Sequence, residues 1–265
     1  MYPTTYHKPA SLSDAVAALS SSDEAMVLAG GQTLLPTMKQ RLASPSALVD
    51  IRAIPELRGI AVSGATVTIG AATTHAEVAG HQGVQQSIPA LACLAAGIGD
   101  PAVRHMGTIG GSVANNDPAA DYPAAVLGLG ATVVTNTREI AADDFFEGMF
   151  STALDEGEII TAIRFEAPKR TAYMKFRNPA SRYAIVGVFV AETDAGARVA
   201  VTGAGADGVF RHSGMEAALT ASFAPEAIDG CEVGEDDMAS DIHASAPYRA
   251  HLVKVMARRA VAGAV

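Results

Sequence analysis

Apolar residues recur along this chain with helical and strand spacings, and the switches between the two lay out most of the elements. Leu12, Ala15, Val16 and Leu19 fall at i, i+3, i+4 and i+7, so a helix is predicted over Ser11–Leu19, with Ser11 or Ser13 as its cap. Ala25–Ala29 is a short apolar run that stops at Gly30-Gly31, a strand feeding a bend. Helical spacing returns at Leu34, Leu35, Met38 and Leu42, giving a helix over Thr33–Leu42 that tolerates Pro36 in its first turn. Strands are expected at Ala47–Ile51, Ile60–Val62 and Thr66–Ala71, then a short helical turn at Thr74–Ala79 whose His75 reads as structural. An apolar helix over Ser87–Ile98 follows, and Asp100–Gly107 leads into a second glycine pair. Beyond it lie a helix over Asp121–Leu129, a strand at Ala131–Thr135 and a turn with a short strand within Asn136–Asp143. Asp144–Phe150 is aromatic and helical in character, and Glu158–Glu166 reads as a strand.

At Pro168-Lys169-Arg170 the pattern changes, which marks a domain boundary. Thr171–Asn178, Ala184–Glu192 and Arg198–Thr202 form three successive strands, an antiparallel meander. Helices over Gly214–Ala221 and Pro247–Ala262 flank an acidic, glycine-containing surface loop at Asp229–Asp241. This is an α+β layout: strands and helices first, then a sheet followed by helices.

A length of 265 residues allows one large domain or two modest ones with a sizeable core. A formal net charge of −9 argues against a nucleic-acid surface and against a polybasic membrane contact. The first residues lack the charged start and apolar core of a signal peptide, and the longest uncharged run, Gln82–Gly99, is interrupted by Pro89. A soluble, cytoplasmic protein without a spanning segment is expected. Cys93 and Cys231 stand far apart and read as buried small hydrophobes. Neither the cysteines nor the histidines have metal-ligand spacing, so iron–sulfur or metal chemistry is assigned to another chain.

Two segments carry candidate chemistry. Ala29-Gly30-Gly31-Gln32-Thr33 and Thr108-Ile109-Gly110-Gly111-Ser112 each place adjacent glycines near a hydroxyl. A glycine pair permits positive φ and close approach, and successive backbone N–H groups can converge on an anion. Together they suggest two walls of one phosphate cleft, although each alone also fits an ordinary turn. Gly203-Ala204-Gly205-Ala206-Asp207-Gly208 matches a dinucleotide fingerprint in letters only, because Val209-Phe210-Arg211-His212 does not open a helix. A β-turn explains it better. Gly97-Ile98-Gly99 follows a helix rather than a strand and reads as its C-terminal cap.

The two glycine segments, the Arg104-His105-Met106-Gly107 lead-in, Asp121, Lys175 and Tyr183 occur in an order that resembles the FAD-binding medium subunit of the molybdenum hydroxylases, the carbon monoxide dehydrogenase and xanthine dehydrogenase family. The resemblance implies an FAD domain of the vanillyl-alcohol-oxidase type over residues 1–169, in subdomains of about 1–56 and 57–169. A smaller domain over 170–265 would carry a three-stranded antiparallel sheet and helices. It implies that Ala29, Gly30, Gly31, Gln32, Thr33 and Leu34, with Thr108, Gly110, Gly111 and Ser112, hold the FAD pyrophosphate. Asp121 would accept a hydrogen bond from the cofactor, Ile98 and Ile160 would touch it near the flavin, and Asn115 would assist. Lys175 would face the flavin, and Tyr183 would lie over its ring. Partners would be a small [2Fe–2S] subunit and a large molybdopterin subunit in a dimer of heterotrimers, with electrons passed to an external acceptor. A self-contained FAD oxidoreductase with its own organic substrate, and a non-enzymatic nucleotide-binding protein, remain the competing readings.

Overall fold

The computed structural model describes residues 1–265. Its first unit is a parallel three-stranded sheet in the order β1-β3-β2, built from β1 (Thr5–His7), β2 (Met26–Leu28) and β3 (Ala47–Asp50). Helix α1 (Leu12–Ser20) begins at Ser11, whose hydroxyl accepts from the Asp14 N–H, and packs Leu12, Ala15, Val16 and Leu19 near Val49 and Ile51. α2 (Leu34–Lys39) follows the first glycine pair directly. β1 escapes sequence reading because three residues are too few to show an alternation.

The second unit is an antiparallel five-stranded sheet in the order β4-β5-β10-β6-β7. Its strands are β4 (Ile60–Ser63), β5 (Thr66–Gly70), β6 (Thr132–Thr135), β7 (Glu139–Ala141) and β10 (Ile160–Glu166). Between β5 and β6 run α3 (His75–Gly80), α4 (Gln82–Ser87), α5 (Pro89–Ala96), α6 (Pro101–Met106), α7 (Ile109–Asn115) and α8 (Tyr122–Gly128). The helix predicted over Ser87–Ile98 is α5, which begins only after Ile88 (φ −141°, ψ 70°) because the residue before a proline is disfavoured in the α region; α4, just ahead of it, is a separate short helix that the sequence pattern does not reveal. Asp100–Gly107 is a helix rather than a lead-in, capped by the Asp100 carboxylate on the Val103 N–H. Asp144–Phe150 is not helical: β8 (Phe146–Gly148) and β9 (Ser151–Thr152) form a small hairpin, with Gly148 and Phe150 both at positive φ. Cys93 is exposed rather than buried, on the outer side of α5, and Cys231 is only partly covered.

The third unit is an antiparallel sheet of β11 (Arg170–Arg177), β12 (Ala184–Thr193), β13 (Gly196–Gly205) and β14 (Gly208–Arg211). A fourth strand thus joins the expected three, and the Gly203–Gly208 stretch is the end of β13, the turn Ala206-Asp207 and the first residue of β14. α9 (Ser213–Ala221) and α10 (Ala246–Ala262) cover one face of this sheet. α8 covers the other: every residue of it is buried, and it packs against β12, β13 and β14 on one side and α7 and α5 on the other. A helix apolar all round belongs inside a protein. Its position at the junction brings its N-terminal residue, Asp121, inside as well. No helix is long and apolar enough to cross a membrane.

Candidate cofactor-binding site

The ends of these elements enclose one large cavity of about 790 Å³. That is within the usual range for cofactor pockets, about 300–1,000 Å³. Its walls come from the β2–α2 segment, the start of α7, the N-terminus of α8, the start of β10 and the loop before β12. The two glycine segments meet here. A Cβ on Gly30 would collide with the Met106 carbonyl and lie 2.6 Å from the Gly107 Cα. A Cβ on Gly111 would sit 3.3 Å from the Ala29 side chain. Only glycine lets the segments approach so closely.

Their roles differ, however. In the first segment the backbone N–H groups of Gly30, Gly31, Gln32, Thr33 and Leu34 have no acceptor within the protein. Gly31 adopts φ +70°, which turns the chain so that this row of donors can curve around an anion. The second segment is not a loop but the first turn of α7. Its N–H groups are already used: Ile109 donates to the Thr73 carbonyl, Gly110 to Ala71, Gly111 to the Thr108 hydroxyl and Ser112 to the Thr108 carbonyl. The symmetric expectation of two N–H cradles is thereby corrected. Gly110 and Gly111 are small for packing, not for positive φ. A Cβ on Gly110 would come 2.5 Å from that of Ala71, because the start of α7 is laced onto the end of β5. What α7 contributes is a thin wall and the Ser112 hydroxyl.

All but one of the other residues anticipated from the sequence line the cavity: Ala29, Gln32, Thr33, Leu34, Ile98, Thr108, Asn115, Asp121, Ile160 and Tyr183. Lys175 does not. It stands behind Asp121, its Nζ 2.7 Å from Oδ2, and both side chains are 5% exposed. Facing the cavity is therefore the role of Asp121, with Lys175 as its counter-ion. Burial pushes the Asp121 carboxyl up against the opposing pull of Lys175, Tyr173 and Arg177. Tyr183 is half-exposed at the rim, and burial with the nearby charges of Asp117 and Asp121 raises its phenol.

Much of the wall went unmarked in sequence, Leu154, Glu158, Ile159 and Arg182 among it. Each lies in a segment whose local pattern says only strand or loop, and the fold alone carries it to the cavity. Glu158 accepts from Thr135, Thr137 and Arg138, and the Arg138 guanidinium holds its carboxyl far below the usual range. His75 also lines the cavity, buried, with its ring 5.3 Å from Tyr122 and Nδ1 without a partner. Burial, then the Arg104 charge, lowers it to about 4, so the imidazole is neutral near pH 7.

Residues 2–168 match the FAD binding domain in molybdopterin dehydrogenase. The chain is 37% identical to the carbon monoxide dehydrogenase medium chain of Afipia carboxidovorans, over 97% of this chain and 94% of that one. The chain belongs to this FAD-binding family. The nicotine 6-hydroxylase medium subunit of Paenarthrobacter nicotinovorans, 34% identical over 97% of this chain and 95% of its own, is a further relative. A solved structure of reconstituted CO dehydrogenase from Oligotropha carboxidovorans holds a chain of the same fold, with a TM-score of 0.91 and 35% identity over 99% of this chain and 98% of that one. The family's FAD-binding fold of the vanillyl-alcohol-oxidase type, followed by a small sheet-and-helix unit, is the architecture described above. The residues present fit the cofactor. A row of five free N–H donors suits a diphosphate, and a half-exposed tyrosine with apolar Ile98 and Ile160 suits a planar ring system.

Proposed function

We propose that this chain is the FAD-carrying electron-transfer subunit of a molybdenum hydroxylase complex. When bound, FAD supplies the two-electron store that links an iron–sulfur partner to an external acceptor. The chain's own residues hold it. Gly30–Leu34 neutralise the diphosphate with oriented amide dipoles, which lets an acidic protein bind an anion without a cluster of lysines. Thr33 and Ser112 add hydroxyl donors at the cavity wall. Asp121 accepts from a donor group of the cofactor, Ile98 and Ile160 exclude water, and Tyr183 covers the ring at the cavity mouth. In this reading residues 1–169 bind FAD and residues 170–265 brace the site through Asp121.

The single observation that carries the proposal is the unpaired N–H row of Gly30–Leu34 facing the start of α7 across one cavity. Further support comes from the relatives, among them the xanthine dehydrogenase FAD-binding subunit of Escherichia coli O157:H7 and the medium chains already named. The partners are a small iron–sulfur subunit and a large molybdopterin subunit, assembled as a dimer of heterotrimers in the cytoplasm. Native mass analysis with cofactor identification tests this. The expected result is one FAD on this chain within a complex containing both partners. A chain that purifies colourless and ignores added FAD, or that oxidises a small molecule unaided, would overturn it.

A further inference from the structure

Asp121 occupies the N-cap position of α8 yet makes no capping bond to its own helix. Its side chain turns instead toward β11. Oδ1 accepts from the Tyr173 hydroxyl at 2.5 Å, and Oδ2 accepts from Lys175 Nζ at 2.7 Å. Tyr173 and Lys175 are two residues apart on one strand, so both project from the same face. Room for the phenol depends on Gly187 of β12, where a Cβ would collide with the Tyr173 hydroxyl; Gly187 is the register partner of Lys175. The Tyr173 ring is 6.2 Å from that of Phe189. Asp121 is thus gripped from behind while its front edge lines the cavity.

We propose that Tyr173 and Lys175 are positioning residues that hold Asp121 as a charge-compensated acceptor and thereby set the reduction potential of FAD in this cavity. The inference rests on the FAD-binding function proposed above. A carboxylate has about four acceptor sites, and the two β11 donors occupy two of them. Each oxygen keeps capacity for a donor from the cavity. Electron uptake at the site adds negative charge there, and a buried carboxylate without its ammonium opposes that charge. Lys175 cancels the opposition. Its charge acts on the cavity as half of an ion pair rather than as a free cation.

The test is the potential of the FAD-loaded chain, measured by dye equilibration. Lys175→Met is expected to lower the potential by about 30 mV or more, a tenfold change in the two-electron equilibrium. Asp121→Asn is expected to raise it, and the double variant, which buries no charge, to return toward the wild-type value. Tyr173→Phe should give a smaller shift, because the ion pair survives. If Lys175→Met does not fold, Asp121→Asn alone decides, and an unchanged potential overturns the proposal. Equal potentials in wild type, Lys175→Met and Asp121→Asn also overturn it. Wild-type chain that retains no FAD fails at an earlier step and takes the proposed function down with it.

Discussion

At the scale of single residues, close approach explains more than conformational freedom does. Gly30 has no positive φ, yet nothing larger fits, since a Cβ would meet the Met106 carbonyl. Gly30→Ala is therefore expected to force the two glycine segments apart and cut the flavin-to-protein ratio at least tenfold by absorbance. Gly80 provides the contrast: a Cβ there meets nothing within 4 Å, so Gly80→Ala should keep FAD and alter stability by no more than about 1 kcal/mol. His75 makes a pH prediction. Its folded value, about 4, lies below the ordinary 6.5, so the unfolded chain binds the extra proton between those values. Stability is full above about pH 6.5 and falls as pH drops toward 4, by roughly 3 kcal/mol at about 1.36 kcal/mol per unit. Urea titrations across that window should show the slope in the wild type and a shallower one in His75→Phe.

At the scale of elements, α7 separates two glycines that look equivalent in the sequence. Gly110 faces Ala71 just after β5, whereas Gly111 faces the Thr108 hydroxyl that caps its own helix and, at 3.3 Å, Ala29 of the first segment. Gly110→Val should overpack the junction between helix and sheet and lower stability by about 1–3 kcal/mol or more, seen as a lower urea midpoint. Gly111→Val should leave that midpoint closer to wild type and lose FAD. Equal effects of the two on stability would contradict this division. The end of α7 is fixed as firmly as its start. Asn116, at φ 41°, donates to the Gly148 and Ser151 carbonyls at 2.7 and 2.8 Å and so ties the helix to the β8–β9 hairpin. Just ahead of the hairpin Phe145 is fully buried, edge-on to Phe146, whereas Phe150 at its turn is exposed and takes φ 58°, which no helix allows.

On the scale of the whole molecule, α8 joins the FAD-binding unit to the four-stranded sheet. Buried all round, it has no face left for solvent. Arg198 of β13 reinforces the joint, donating to the Leu127 carbonyl near the end of α8 and to Asp143 at 2.7 Å. Separating the units would expose an entire apolar helix, at about 25 cal/mol per Å² of apolar surface. The chain is accordingly expected to unfold in one transition, with coincident midpoints by circular dichroism and by tyrosine fluorescence. Two resolved transitions would mean that the α8 joint is weaker than its burial implies.

The sequence by itself determined the α+β class, most helices and strands, the meander after Arg170 and the two glycine segments that meet at the cavity. These follow from local pattern: apolar spacing, glycine pairs and a familiar order of short motifs. Tertiary structure decided which glycine pair offers free N–H groups, because the Ala71 and Thr73 carbonyls that take the Gly110 and Ile109 N–H groups are distant along the chain, and they seat the α7 start in which Thr108 takes the Gly111 N–H. It also decided that Lys175 serves Asp121 rather than the cavity, since a strand shows which side a lysine leaves from but not what waits there. Leu154, Glu158 and Ile159 became wall residues in the same way. Periodicity records how a segment meets a neighbour, and only the assembled molecule says which neighbour it meets.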